Sequence, residues 1–550
     1  MTVKHHYNKK HSRIVLLPVL LLLLSGCSAD YLYDDSAYYD EESWNAEASV
    51  LNGSALNEDK GIYDVYADEL EHLYLKIQPG KDAEQGDVFS FSYLQNYTEG
   101  DVTGVEPYTD VILTEGDESA PTSVTGFGFG EFTANAKLTV KGNTDRIESR
   151  SWQLKLYDRA GLYEGMKSFN LIKNNDDASR MKIKLGLDLA SQLEDVASLR
   201  SKFVRLFVYD TTEGGLLQWE DMGIYTLVEQ PNKTFLRSHG LNENAALYRA
   251  KNFRFEQQTE IRAMDDPAYD EEAFESVLGI REATDHSKLL EVLALLDDPA
   301  VTSEALLSGS FNEENLLTYA AISLLMGNVE GTVTDYLIYS PENSQTWYFI
   351  PEDFRNAFEI PEWQSYAYLM NNKVFRIYLQ EEENRMKLRE KVAEIRSTLT
   401  DERISETVAG YTKQLLPYLY SMPEIIQLPI PAADVEPYIA ALVDNLAQVD
   451  SINYSVLPPY IETYTREGNT VTIDFDSQAD LTYYAEVAAD RRFSEIIETL
   501  PINEGRFEYG MAGSYYLRVV GVTADGERVV CGNISLDGLG RTIYGGIEIN

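Results

Sequence analysis

Carboxylates are the side chains of this sequence with the most to offer chemically, and they gather in two short segments. The first, Met326 to Tyr339 (MGNVEGTVTDYLIY), carries Glu330 and Asp335; the second, Trp347 to Phe358 (WYFIPEDFRNAF), carries Glu352 and Asp353. In both, the acids stand beside apolar runs, at the ends of helical or strand patterns. Such placement half-buries a carboxylate and shifts its pKa. Carboxylates of this kind hold divalent cations or exchange protons; acidic residues also cap turns, and on residue type alone that is the simpler role. Used as an acid pair for glycan hydrolysis, Glu330 and Asp353 would need a separation of ~5 Å or ~6.5–9.5 Å, which spacing along the chain does not fix. Other reactive patterns are missing: there is no HExxH, GxxxxGK[ST], GxSxG or CxxC. Beyond residue 27 the histidines are His72, His239 and His286, too scattered to suggest a metal site or a triad, and each reads as solvated or locally bonded.

The elements that must position these acids change character along the chain. Between 61 and 160, the segments HLYLKIQ, DVFSFSYL, DVILTEG, AKLTVKG and SWQLKLYD read as strands separated by turn residues. Residues 178–193 place Met181, Leu185, Leu189 and Leu193 on one helical stripe. KFVRLFVYD and MGIYTLVEQ follow as two more strands, split by Gly214-Gly215. From about 270 the period turns helical (KLLEVLALL, ENLLTYAAISLLMG, RMKLREKVAEIRSTL, DVEPYIAALVDNLAQV), interrupted by a β pair, DYLIYS with WYFIPED. Leu457-Pro458-Pro459 reads as a linker. Beyond it NTVTIDFD, TYYAEVAAD, GSYYLRVVGVTADG and ERVVCGNISL read as a β-sandwich spanning 462–550; the stretch from TYYAEVAAD to YYLRVVGVTADGE is similar to a fibronectin type III module. The expected fold class is α+β.

Composition supplies a location. Of 550 residues, 46 are Lys or Arg against 90 Asp or Glu, a formal net charge of −44, which argues against nucleic acid as a partner. The amino-terminal stretch carries Lys4, Lys9, Lys10 and Arg13, then an apolar run from Ile14 to Leu24 that is shorter than the ~20 residues a bilayer span needs. Leu24-Ser25-Gly26-Cys27 resembles a bacterial lipobox, implying a signal peptide over 1–27, lipidation of Cys27, and a protein held on the extracytoplasmic side of the cell envelope. With Ser28 and Ala29 next, no Asp follows the cysteine immediately, which in a two-membrane host favours the outer membrane. Residues 28–60 are acidic and Tyr-rich, and read as a tether. Cys531 is the one remaining cysteine, so there is no disulfide framework.

A resemblance gives the carboxylates their context. Asn328 to Tyr339 and Trp347 to Phe358 resemble the core of the spore-coat CotH kinase family. Its members carry an Asp before an Asn and a Tyr-rich strand, and then a strand ending in a Pro-Trp-Asp-x-Asp type motif. Lys141-Gly142-Asn143-Thr144 is similar to the family's Arg-Gly-Asn-Ser segment, and Ser151 to Leu156 resembles its lysine-bearing strand. Asp177-Ala178-Ser179-Arg180 opens the helix that follows, and Gly223 to Glu229 resembles the strand ending in Glu. The resemblance implies an atypical protein-kinase-like domain of two lobes over 61–455, transferring phosphate from ATP to protein Ser with Mg²⁺ or Mn²⁺. It implies Lys155 on the phosphates, Asp353 as principal metal ligand, Asp335 as second metal ligand and Glu330 as catalytic acid/base, with Glu194 as a partner for Lys155. The sequence departs from the pattern at four places: Glu330 replaces Asp, Asp335 replaces Asn, Glu352 replaces Trp, and Arg355 replaces the second Asp. Those departures open an alternative, an inactive pseudokinase scaffold that binds surface proteins or glycans. Gly126-Phe127-Gly128-Phe129-Gly130 has the composition of a phosphate loop without its spacing, and reads first as a turn.

Overall fold

The computed structural model describes residues 54–550 except 64–68, 80–88, 99–106, 123–132, 143–149, 213, 359–364, 469, 479, 503–505, 511–512, 537 and 539–541. Cys27, most of the expected tether, the Gly126–Gly130 segment and Asn143-Thr144 lie outside them. No described helix is long and apolar enough to cross a membrane.

The alternating first part closes on itself. Strands β1 (Glu71–Gln78), β2 (Tyr108–Gly116), β3 (Ala136–Lys141), β4 (Ser151–Leu156), β5 (Ser168–Ile172), β6 (Ser201–Asp210) and β7 (Trp219–Glu229) form a barrel in the order β1-β2-β3-β4-β5-β7-β6. Parallel pairing of β1 with β6, Leu73 opposite Leu206, seals it. Period 2 sends every second side chain inward. Leu73, Leu75 and Ile77 of β1 thus meet Trp152, Leu154 and Leu156 of β4 in one core. DVFSFSYL does not continue the pattern: Phe91–Asn96 is a helix, capped by the Ser90 side chain accepting from the Tyr93 N–H. Phe91 and Leu94, three apart and hence on one helical face, join the barrel core.

The second part is helical around a small sheet. Strands β8 (Ala246–Ala250), β9 (Leu278–Glu282), β10 (Tyr336–Ser340) and β11 (Tyr348–Pro351) pair in the order β11-β10-β8-β9, so the expected hairpin is half of a larger sheet. Against it lies the helix Glu313–Met326, buried along almost its whole length, which is why its sequence is apolar all round. The helices Glu382–Thr398, Asp401–Leu419 and Val435–Leu446 follow. The chain is therefore a mixed α+β protein with sheets at its carboxyl end.

Two segments pack more closely than their composition suggests. Residues 54–60, assigned above to the tether, lie against the main unit: Leu56 is in the large core and Asn312 and Tyr348 donate to the Ser54 carbonyl at 3.0 and 2.7 Å. Leu457 and Tyr460, at the expected linker, are buried in the same core. Beyond them a three-stranded sheet (Ile461–Glu467, Thr470–Phe475, Arg506–Gly510) faces a five-stranded one built on Thr482–Ala488 and Tyr515–Val522. A separate ribbon pairs Ile534–Leu536 with Thr542–Tyr544.

Candidate functional site

Antiparallel pairing of β10 with β11 brings the two acidic segments together. Tyr336 lies opposite Pro351, so Asp335 just before β10 meets Glu352 and Asp353 just after β11. On the other side of β10, Leu337 pairs with Arg249 of β8. Arg249 bridges the acids: its Nη2 donates to Asp335 Oδ1 at 2.9 Å and its Nε donates to Glu352 Oε2. Arg355 covers Asp353, donating from Nε to Oδ2 at 2.7 Å and from its backbone N–H to Oδ1 at 2.9 Å.

The backbone fixes these positions firmly. Asp335 sits at φ +58°, a left-handed conformation that Asp tolerates better than most residues, and its N–H donates to the Ala250 carbonyl at 3.0 Å. Phe354, fully buried, packs onto Gly186 in the helix Lys182–Ser191; a Cβ there would lie 2.1 Å from its ring. Asn328, just past the helix Glu313–Met326, donates to the Asp353 carbonyl at 3.2 Å. Glu330 opens a short 3-10 turn two residues later, and its Oε2 accepts from Asn356 Nδ2 at 2.5 Å. Glu330, Asp335 and Asp353 thus belong to one connected region.

Its charges are poorly matched. Burial and the neighbouring Asp353 push the Asp335 carboxyl up to about 6, against the pull of Arg249 and Arg355. Burial also raises Asp353, but Arg355 outweighs it and leaves that carboxyl below its ordinary value. Two further cations converge here. Lys141, half-buried at the end of β3, is brought down to about 8 by burial and by Arg249, with Arg281 and Arg355 adding to the effect and Glu352 opposing it. Arg281 of β9 is lowered by burial and by Arg249, opposed by Glu352 and by Glu275, and its Nε is buried without a hydrogen-bond partner. For both cations, burial and like charge outweigh the pull of Glu352, their shared acid.

Lys155 is not brought to this cluster. The alternation that turns Leu154 and Leu156 into the barrel turns Lys155 out, where it is exposed and acts on Asp158. Lys141 pairs with Ser151 and Lys155 with Lys137, which sets Lys155 ~13 Å further along the strand at ~3.3 Å per residue. Glu194 is exposed. The buried glutamate is Glu229, gripped by Arg200 Nη2 at 2.5 Å and Nε at 2.9 Å. His239 is neither solvated nor purely local: Nε2 meets Glu229 Oε2 at 2.9 Å and Nδ1 meets Glu58 Oε1 at 2.6 Å, all fully buried. Arg249 and Arg281 carried no motif; the only signal was an Arg in each of two short strand segments, ALYRA and LGIRE, the first otherwise uncharged.

Among the described residues no three His, Cys, Asp or Glu side chains form a metal cage. Mg²⁺ needs none: one or two carboxylates, substrate phosphates and waters suffice. Asp335 and Asp353 fit that donor set, because their mutual repulsion is what a bound cation relieves. No curated protein matches the chain. A sequence model of the family described as CotH kinase protein matches residues 138–447, from β3 through the helix Val435–Leu446, which spans the whole carboxylate region. That match covers more than half of the sequence, and the chain belongs to the CotH kinase protein family.

Proposed function

We propose that the chain is a lipid-anchored envelope protein of kinase-like, two-lobed architecture that transfers phosphate from ATP to Ser of exported or envelope proteins. The observation that carries this reading is the pair of charge-starved cations, Lys141 and Arg281, beside two repelling carboxylates. In a chain of net charge −44, cations left short of negative charge mark a place for a polyanion. Lys141 takes the phosphate-binding role first expected of Lys155. Asp335 and Asp353 are the residues that would hold Mg²⁺ or Mn²⁺, which when bound neutralises charge developing on the transferred phosphoryl group. Glu330 takes the proton of the acceptor hydroxyl. Arg355 has to leave Asp353, and its half-exposed side chain has solvent to move into. Lipid on Cys27 holds the protein to the membrane, and a fibronectin type III-like module follows the kinase-like domain.

The Arg355–Asp353 and Arg249–Asp335 pairs favour a second reading, a pseudokinase whose arginines stand permanently where a metal would. Thermal unfolding of residues 28–550 with and without ATP and Mn²⁺, beside Asp353→Ala, separates the two. Ligand at 100 times its Kd adds ~2.7 kcal/mol to the unit that binds it. A metal-dependent shift lost in the variant supports nucleotide binding; no shift in either protein at millimolar nucleotide supports the scaffold.

A further inference from the structure

Both oxygens of the Glu330 carboxylate are engaged, and the two donors come from different parts of the chain. Oε2 accepts from Asn356, three residues after Asp353. Oε1 accepts from the Tyr544 hydroxyl at 3.5 Å, a long contact, and Tyr544 belongs to the carboxyl-terminal ribbon. The ribbon is seated on the helical part as well as on the sheets it follows in sequence, where Ile543 packs with Ala488 and Phe493 and Arg491 Nη1 donates to the Thr542 carbonyl at 2.6 Å. Ile534 is buried in the large core, and Tyr544 packs against it. Asn371 clamps the ribbon with both ends of its amide, accepting from the Ile534 N–H at 2.8 Å and donating to the Gly532 carbonyl. Arg254 Nη2 donates to the Ile534 carbonyl at 2.9 Å. Asn372, the neighbour of Asn371 in the chain, donates to the carbonyl of Thr332, which closes the turn opened by Glu330. Gly532 lies so close that a Cβ on it would stand 2.0 Å from the Ala367 carbonyl oxygen.

We infer that the carboxyl-terminal ribbon is part of the acceptor end of the site, and that Tyr544 is a positioning residue holding the Glu330 carboxylate against Asn356. This rests on reading Glu330 as the acceptor of the hydroxyl proton. Two donors on opposite oxygens fix the plane of a carboxylate that a single donor leaves free to turn. Rigid placement matters because ~1 Å of error costs ~100-fold in rate. The carboxyl-terminal module is then an integral part of the enzyme rather than a detachable spacer.

The test uses residues 28–550 with Tyr544→Phe and Gly532→Ala, the first removing the hydroxyl and the second wedging the ribbon away. Hydrogen–deuterium exchange over residues 328–334 is expected to rise several-fold in Gly532→Ala while the barrel strands keep wild-type rates. Unchanged exchange in that segment overturns the inference, whatever the chemistry does. For phosphoryl transfer, Tyr544→Phe is expected to lower kcat ~5-fold, the cost of one ordinary hydrogen bond, with KM for ATP and thermal stability unchanged. A wild-type kcat in that variant, or a fall in kcat matched by lost ATP affinity, also overturns it. Wild-type protein that binds ATP and transfers no phosphate would remove the kinase reading instead, and exchange alone would then decide whether the ribbon holds the Glu330 turn.

Discussion

Two systems of buried charge occupy this protein, and they are built on opposite terms. In the first, Arg200, Glu229, His239 and Glu58 alternate in sign, extended by Lys60 on Glu58 at 2.6 Å. Each acid lies between cations: Glu229 is driven down to about 2, where burial is overcome by His239 and Arg200. His239 is raised, burial being outweighed by Glu229 and Glu58. In the second, Asp335 faces Asp353, and Lys141 faces three arginines against the one acid Glu352, and both are shifted for it. The first arrangement is finished without a ligand and holds residues 58–63 onto the barrel. The second is left in tension, as binding sites are when their missing charge is supplied by a ligand.

The largest way to break the contrast is Glu229→Gln. It leaves Arg200 and His239 buried with one acid between them, and removing one partner of such a pair costs about 3–5 kcal/mol. Urea unfolding at pH 6 is expected to show that loss, while affinity for ATP and Mn²⁺ survives below the transition. Asp353→Ala inverts the pattern: ADP formation falls about 100-fold or more, with stability altered far less, because the Arg355 it abandons is half-exposed.

The carboxylates Glu229 and Asp335 answer pH in opposite senses. Glu229, depressed from its ordinary 4.5, contributes stability that is present above that value and lost as pH falls toward about 2. His239, raised from 6.5, contributes stability present below 6.5 and lost as pH rises through its folded pKa. Asp335 is the reverse of an ordinary paired carboxylate. Folding raises it from 3.8 to about 6, so its contribution is present below 3.8, erodes between those values and is a penalty above them. Asp335→Asn is therefore expected to stabilise the protein at pH 7 and leave it unchanged at pH 3.5, read by urea midpoints at the two pH values. Since the carboxyl must lose its proton to ligate, Mn²⁺ is also expected to bind more tightly at pH 7.5 than at pH 5.5, measured by calorimetry. The smallest effect is expected at Lys155→Ala, an exposed barrel residue, with activity and stability near wild type.

Much of the carboxylate region was legible because its geometry is local. Two short strands joined by a turn must pair antiparallel, and that pairing alone sets Asp335 beside Asp353. Arg249 and Arg281 were not legible, since their place depends on β8 and β9 joining that hairpin across long stretches of chain. Lys155 is a different case. SWQLKLYD itself alternates Trp152, Leu154 and Leu156 inward, so the parity that sends Lys155 outward was present in the sequence and was overridden by the resemblance. The helix Phe91–Asn96 was masked by aromatic residues that favour strands, and only the i, i+3 spacing of Phe91 and Leu94 points the other way. The packing of 54–60 depends on partners far off in sequence, His239 and Asn312 among them.

The central claim is that Lys141, not Lys155, meets the phosphates of a nucleotide whose metal sits on Asp335 and Asp353. Calorimetric titration of ATP with Mn²⁺ into residues 28–550 tests it directly, with Lys141→Met and Lys155→Met side by side. The account predicts that Lys141→Met weakens binding about 10-fold or more, the loss of one charge-assisted contact, while Lys155→Met binds as the wild type does. Equal affinity for all three proteins, or a loss confined to Lys155→Met, would contradict it.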